Sequence, residues 1–209
     1  MTEVIILANS KKSGNRCIAG IDVETHKWVR PCFGDSGEGI PWRARQINGT
    51  EPAILDIVEI PLKSTGPNRD IQPENLYLKD GDWVKIGQAR VEDILEYCVS
   101  DSVLFYNDLD RVPVSELSGL TVTKKTSLTL IQVKAVFDMG LDITGKKQLR
   151  AVFKYGSLKY NLVVTDCEYK NGFKSQSKLK ADCIFTVSLG APFKQDNCCY
   201  KLVAGVIEL

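Results

Sequence analysis

The side chains best suited to chemistry lie near the N-terminus. Asn9, Ser10, Lys11, Lys12, Ser13, Gly14, Asn15 and Arg16 form a polar, basic loop directly after an apolar run. Gly14 permits a tight turn, and the three cations can meet phosphate. Trp28 and Arg30 follow across a predicted hairpin. Trp42, Arg43 and Arg45 come next, after a stretch that holds Gly34, Gly37 and Gly39. Aromatic rings beside arginines suit single-stranded nucleic acid, because bases stack on the rings while guanidinium groups meet phosphate. The candidate phosphate contacts are therefore Lys11, Lys12, Arg16, Arg30, Arg43 and Arg45, and the candidate stacking residues are Trp28 and Trp42. The plainer reading is a solvated hairpin loop with Trp28 in the core.

Other chemistries have less support. The basic loop lacks G-x-x-x-x-G-K-[ST] and no helical pattern follows it, which argues against a nucleotide-hydrolysing P-loop. Two further basic regions are candidates for lining a groove in the second half: Lys146, Lys147 and Arg150, and the stretch of Lys170, Lys174, Lys178 and Lys180 around Phe173. Lysine-rich loops between strands are commonly just solvated surface. Asp80 and Asp82 flank Gly81, and Asp108 and Asp110 flank Leu109, but turn chemistry explains such pairs without a metal. The seven cysteines are irregularly spaced, no C-x-x-C occurs and His26 is the single histidine. Zinc and disulfide frameworks need regular clusters, so the cysteines read as small buried hydrophobes in a reducing compartment. No G-x-S-x-G occurs. These readings lead to a binding module rather than an enzyme, with no cofactor and no metal.

Bulk properties narrow the partners. Lys and Arg total 27 against 26 Asp and Glu in 209 residues, a net charge of +1. A nucleic-acid site must then be a local basic patch on a nearly neutral body. The apolar run Val4–Ala8 is too short for a signal peptide and acidic Glu3 precedes it. No segment has the apolar length of a transmembrane helix. The expectation is a cytoplasmic protein with no membrane partner.

The elements that must position these residues are mostly strands. In the second half, Ile131, Val133, Ala135 and Phe137 alternate with more polar neighbours, as do Leu149–Tyr155, Leu158–Val164, Cys183–Leu189 and Tyr200–Val206. A period of two gives each strand one buried face. Turn signals at Asp142–Gly145, Gly156-Ser157 and Gly190-Ala191-Pro192 separate them. Five antiparallel strands in so short a span suit a small closed barrel, since closure removes exposed edges. The first half offers a similar count: Glu3–Ala8, Arg16–Val23, Lys27–Pro31, Ala53–Leu62 and Trp83–Arg90. A helix is expected after the fifth, where Val91, Ile94, Leu95 and Cys98 make one apolar stripe. Pro113 is placed to start a short helical turn over Val114–Leu117.

Three stretches carry a resemblance. They are Leu7–Lys12 with Gly14, Arg16–Gly20 and Trp28–Pro31; Leu55–Leu62 followed by Gln72-Pro73-Glu74-Asn75; and Val187–Phe193 with Tyr200–Ile207. Together they resemble the dual OB-containing domain family of prokaryotes, over nearly the whole chain. The resemblance implies two tandem OB-like barrels, nucleic-acid or nucleotide binding, and a link to bacterial conflict or defence neighbourhoods with possible protein partners there. It supplies no catalytic residues. The fold class expected is all-β with minor helix: two tandem small OB-like antiparallel β-barrels. Residues 1–100 form the first barrel with its terminal helix, 101–125 an ordered connector and 126–209 the second barrel. The function expected is a non-catalytic module for single-stranded nucleic acid or a nucleotide. The alternative is a protein-interaction scaffold that binds no nucleic acid.

Overall fold

The computed structural model describes residues 1–12, 14–142, 144–173 and 179–209, with the backbone alone at Lys12, Val122 and Leu179. The chain forms two compact units, Met1–Glu96 and Tyr97–Leu209.

In the first unit, β1 (Thr2–Lys12), β2 (Asn15–Asp22) and β3 (Trp28–Cys32) form an antiparallel meander. β4 (Asp56–Ile60) pairs antiparallel with β1, and β5 (Asn75–Tyr77) pairs parallel with β3. Just beyond β4, Leu62 bridges Leu78; Lys63 N–H donates to Tyr77 O and Lys79 N–H to Pro61 O, both at 2.8 Å. That ladder closes the circle β1-β2-β3-β5-β4-β1. Inward residues Val4, Ile6, Ile18, Val29, Val58 and Ile60 fill it, with Ile40 and Trp83.

The second unit repeats the circle. β8 (Leu128–Leu141), β9 (Lys147–Tyr155) and β10 (Leu158–Val164) form the meander. β11 (Leu179–Leu189) pairs antiparallel with β8, and β12 (Cys198–Glu208) pairs antiparallel with β11 and parallel with β10. The circle is β8-β9-β10-β12-β11-β8. Its core is aromatic: the Phe153 and Phe185 rings meet edge-on at 5.4 Å between centroids. Each closed circle of five strands, with one parallel pair between its third and fifth members, is the pairing of an OB barrel. The all-β expectation with minor helix is met: among the described residues, helix is limited to α1 (Trp42–Arg45), α2 (Val114–Ser118), α3 (Cys167–Gly172) and short 3-10 turns.

Several local readings differ from the structure. Trp83–Arg90 holds β6 (Val84–Gln88), which lies outside the first barrel circle, on the far side of β4. The strand that closes the barrel is β5, whose three residues are too few to show a period of two. The apolar stripe after β6 is a 3-10 turn, Val91–Tyr97. Three residues per turn split the stripe: Ile94 is buried and Leu95 is exposed. Residues 101–125 build into the second unit. Leu104 enters its core, β7 (Arg111–Pro113) pairs with the start of β12, and Tyr155 and Tyr160 hydroxyls accept from the Asp101 and Leu104 amides.

None of the seven cysteines forms a disulfide, and five of them are buried. Among the described residues, no helix is long and apolar enough to cross a membrane, and no group of three or more His, Cys, Asp and Glu is placed to hold a metal ion.

Candidate ligand-binding face

OB barrels take their ligands on the outer face of the second and third strands, between the loop joining strands one and two and the loop joining strands four and five. In the first barrel that face is closed. Ala19 and Ile21 on β2, and Arg30 and Cys32 on β3, point away from the core yet are between 1% and 3% exposed. The Arg30 backbone N–H donates to Glu74 O, and its Nη1 donates to Asn75 Oδ1 at 3.1 Å. Asn75 Nδ2 in turn donates to Pro67 O and Gln72 Oε1. Arg30 therefore ties down the long loop between β4 and β5, and its guanidinium does not reach solvent.

The other cations named from the sequence separate into two groups. Arg16 Nε and Arg45 Nη2 grip Glu51 from two sides, at 2.8 and 2.7 Å. Asn9 Nδ2 donates to Glu51 Oε2 and Pro52 O, and Arg45 Nη1 donates to Ile40 O. Burial favours the neutral acid at Glu51, but the hydrogen bonds from Arg45 and Arg16 outweigh it and hold the carboxyl below its ordinary range. Ile40 also pairs its backbone with Arg16. The segment from Ile40 to Pro52 is thereby clamped over the end of the β1–β2 hairpin. Glu51 is the residue that sequence reasoning missed, a lone acid within a basic stretch. Asn9 Oδ1 and Arg45 Nε are buried there without a hydrogen-bond partner among the described residues.

Around this clamp, Lys11 and Arg43 are exposed and make no ion pair among the described residues. Lys11 sits opposite Arg16 in the β1–β2 register. Trp42 is 45% exposed, with the Arg45 guanidinium 5.5 Å from its ring centroid. Trp28 is half-buried on β3, next to buried Arg30. The Lys12 side chain lies outside the described residues, as do Lys174 and Lys178. Phe173 packs against Phe137 and Tyr169 beside the core.

The second barrel keeps the corresponding face open. Outward residues Gln148 and Arg150 on β9, Asn161 and Val163 on β10, and Tyr200 and Leu202 on β12 line a cleft of about 510 Å³. Leu141 and Asp142 bound it from the first loop, Phe193 from the loop before β12, and Arg111 from β7. Arg150 is fixed in place. Its Nε donates to Asn161 Oδ1 at 2.8 Å and its Nη2 to Asn161 O at 2.6 Å, which leaves Nη1 unpartnered among the described residues. Gly140 makes room for this pose, because a Cβ there would lie 2.9 Å from Arg150 Cδ.

At the other side of the cleft, Phe193 is 45% exposed and meets Tyr200 at 90°, with centroids 6.0 Å apart. The Tyr200 hydroxyl donates to Asp196 Oδ2 at 2.7 Å and accepts from Arg111 Nη1 at 3.0 Å. The Arg111 guanidinium lies 5.4 Å from the Tyr200 ring centroid. Lys201 lines the inner wall. Its Nζ donates to Asn107 O at 2.7 Å, and burial pushes its pKa down to about 8. The arrangement joins a free aromatic edge, two arginines held at defined positions, and the amide of Asn161. Those groups can stack a planar ring, meet anionic oxygens and hydrogen-bond a base edge.

Of these residues, Arg150 was legible as part of a basic region, whereas Phe193 and Tyr200 appeared only within the stretch that carries the resemblance and Arg111 in no motif. A family model described as dual OB-containing domain matches residues 2–206. No curated protein and no solved structure matches the chain. With the family match spanning both closed circles of strands, the chain belongs to the dual OB-containing domain family.

Proposed function

We propose that this protein is a non-catalytic binding module for single-stranded nucleic acid or a nucleotide, and that the open face of the second barrel is where the ligand sits. The observation that carries the reading is the cleft over β9, β10 and β12. It combines Phe193 and Tyr200 with Arg111 and Arg150 on the face that OB barrels use for ligands. Phe193 offers its ring to a base; Arg111 and the spare Nη1 of Arg150 meet phosphate. Of the residues named from the sequence, Lys11, Arg43 and Trp42 stay accessible, and they form a secondary contact region on the first barrel. Arg30, Arg16 and Arg45 serve the fold there. A defence role, with protein partners in such a system, rests on the family resemblance alone.

The alternative is a protein-interaction module that binds no nucleic acid, and the net charge of +1 favours it. Fluorescence anisotropy with short labelled single strands at low salt separates the two. The binding reading expects saturable binding that weakens in Arg111→Ala/Arg150→Ala. Folded wild-type protein that binds neither the strands nor, in a separate titration, mononucleotides would leave the interaction module as the better reading.

A further inference from the structure

A second cleft, of about 340 Å³, is lined wholly by the first unit, and of the closed β2–β3 face only Cys32 borders it. It is built on the short ladder that closes the barrel. Leu62 and Leu78 face the core. Strand alternation then turns Pro61, Lys63, Tyr77 and Lys79 outward together. Lys63 stands opposite Tyr77, and its Nζ lies 5.7 Å from the ring centroid. Lys79 follows Tyr77 by two positions on the same strand, so it is the diagonal neighbour of Lys63, a spacing of roughly 7–8 Å. One ammonium group therefore lies over the Tyr77 ring, and Lys79 lines the same cleft two positions further on. Opposite them is the turn after β3, with Phe33, 45% exposed, and Asp35. Asp80 and Gly81 close the rim, and Trp83 is the buried floor.

The charges in this cleft do not neutralise one another. Lys63, Lys79, Asp35 and Asp80 form no ion pair among the described residues. Both signs remain available, lysines for anionic oxygen and carboxylates for O–H or N–H donors. A simple aromatic acid would use the lysines and leave the carboxylates facing it unpaired. A triphosphate would bring more negative charge than this near-balanced set can hold. The volume is at the low end for ligand pockets, large enough for one nucleotide and too small for several.

We propose that this cleft binds a ribonucleoside monophosphate. Its base lies against Phe33 and Tyr77, its phosphate between Lys63 and Lys79, and its ribose hydroxyls against Asp35 and Asp80. The same chemistry is offered by a free nucleotide and by the 5′-phosphorylated end of an RNA strand. No covalent step is involved. The site is independent of the second-barrel cleft and does not rest on it.

Calorimetry on the full-length protein, followed in parallel by tryptophan fluorescence from Trp83, tests this. The titrants are AMP, UMP, their 2′-deoxy forms, and a uridine trinucleotide with and without a 5′-phosphate. We expect binding of the ribonucleotides, weaker binding of the deoxy forms, and a loss of at least about tenfold in Lys63→Ala/Lys79→Ala, whose two charge-assisted contacts are gone. Asp35→Asn/Asp80→Asn should narrow the preference for ribose while phosphate binding persists. Both lysines are exposed, and circular dichroism checks that the variant is folded. Binding of mononucleotides assigns the site to free nucleotide; binding of the trinucleotide alone, dependent on its 5′-phosphate, assigns it to strand ends. The titrations are repeated in the Arg111→Ala/Arg150→Ala background, which removes any contribution of the second-barrel cleft, and the binding that persists there should be lost when Lys63→Ala/Lys79→Ala is added. The proposal is overturned if neither titrant class binds, or if binding occurs and the lysine variant does not weaken it.

Discussion

Removing Arg111 and Arg150 together is the most direct perturbation of the open face on the second barrel. Both guanidinium groups sit on its rim, and neither supports the core. Each phosphate contact on a single strand releases counterion and contributes about 0.7 to the slope of log affinity against log salt. Two contacts contribute about 1.4, so between 50 and 200 mM salt they account for roughly a sevenfold loss of affinity. The double variant Arg111→Ala/Arg150→Ala should lack that part of the salt dependence as well as binding more weakly at every salt concentration. Phe193→Ala is the contrasting variant, because stacking carries no counterion term. It should cost on the order of 1–3 kcal/mol with the slope unchanged. Asn161→Ala keeps both charges and removes the side-chain hydrogen bond that orients Arg150 Nε, leaving the one to the residue 161 carbonyl. It should lower affinity without changing the slope. Anisotropy titrations of a labelled oligonucleotide at three salt concentrations read all of these. If the double variant is folded and retains the wild-type slope, the two arginines do not meet phosphate, and the assignment of this face fails.

Three further outcomes follow from the first barrel and the thiols. Arg30→Ala leaves Asn75 and the loop between β4 and β5 without a buried charged donor, a loss on the order of 3 kcal/mol, which in a domain of this size lowers the melting temperature by more than about 10 °C; a thermal melt in which all transitions are unchanged would show that Arg30 does not hold this loop. Glu51 has a folded pKa below its unfolded value, so its stabilisation is present above about pH 4.5 and is lost as pH falls through the folded pKa. In denaturant titrations across acid pH, Glu51→Gln should be less stable than wild type near neutrality, with the difference shrinking toward pH 3. None of the seven cysteines forms a disulfide and five are buried, so reducing agent should leave the melting temperature unchanged, and a drop would reveal a structural disulfide.

What was legible in the sequence followed the strength of the local period. β8 to β10, with inward Ile131, Phe153 and Leu162, show the alternation plainly because each strand is at least seven residues long. β5 could not be read this way: it has three residues, and Asn75 within it is buried for its hydrogen bonds rather than for apolar contact. Arginine was the hardest residue type to place. Arg30, Arg43 and Arg45 look alike as letters beside tryptophans, but one is a buried loop anchor, one is exposed, and one is half of a clamp on Glu51. Their roles depend on Asn75 and Glu51, and the Asn75 partner lies 45 positions away from Arg30. The open cleft is equally non-local. Arg111 reaches Tyr200 across 89 positions, a pairing that no spacing rule reports.

The two barrels share one circle of strand pairings but use the β2–β3 and β9–β10 faces differently, and single residues explain why. In the first barrel, the strand-three position that faces outward holds Arg30, whose guanidinium is turned onto Asn75 and the loop that ends in Glu74. In the second barrel, the outward positions of the corresponding strand that line the cleft hold Asn161 and Val163, which are too short to fasten a loop across it. Arg150, on the neighbouring strand, is held flat by Asn161. The loop before β12 then ends in Phe193 at the rim of the cleft. The same residue type closes one face and equips the other. Arg16 and Arg45 are matched by Glu51 in the first unit, so these two cations are not offered to a ligand. If the proposed reading holds, such a module draws more of its affinity from stacking than from long-range attraction, which favours exposed bases over the closed stack of a duplex.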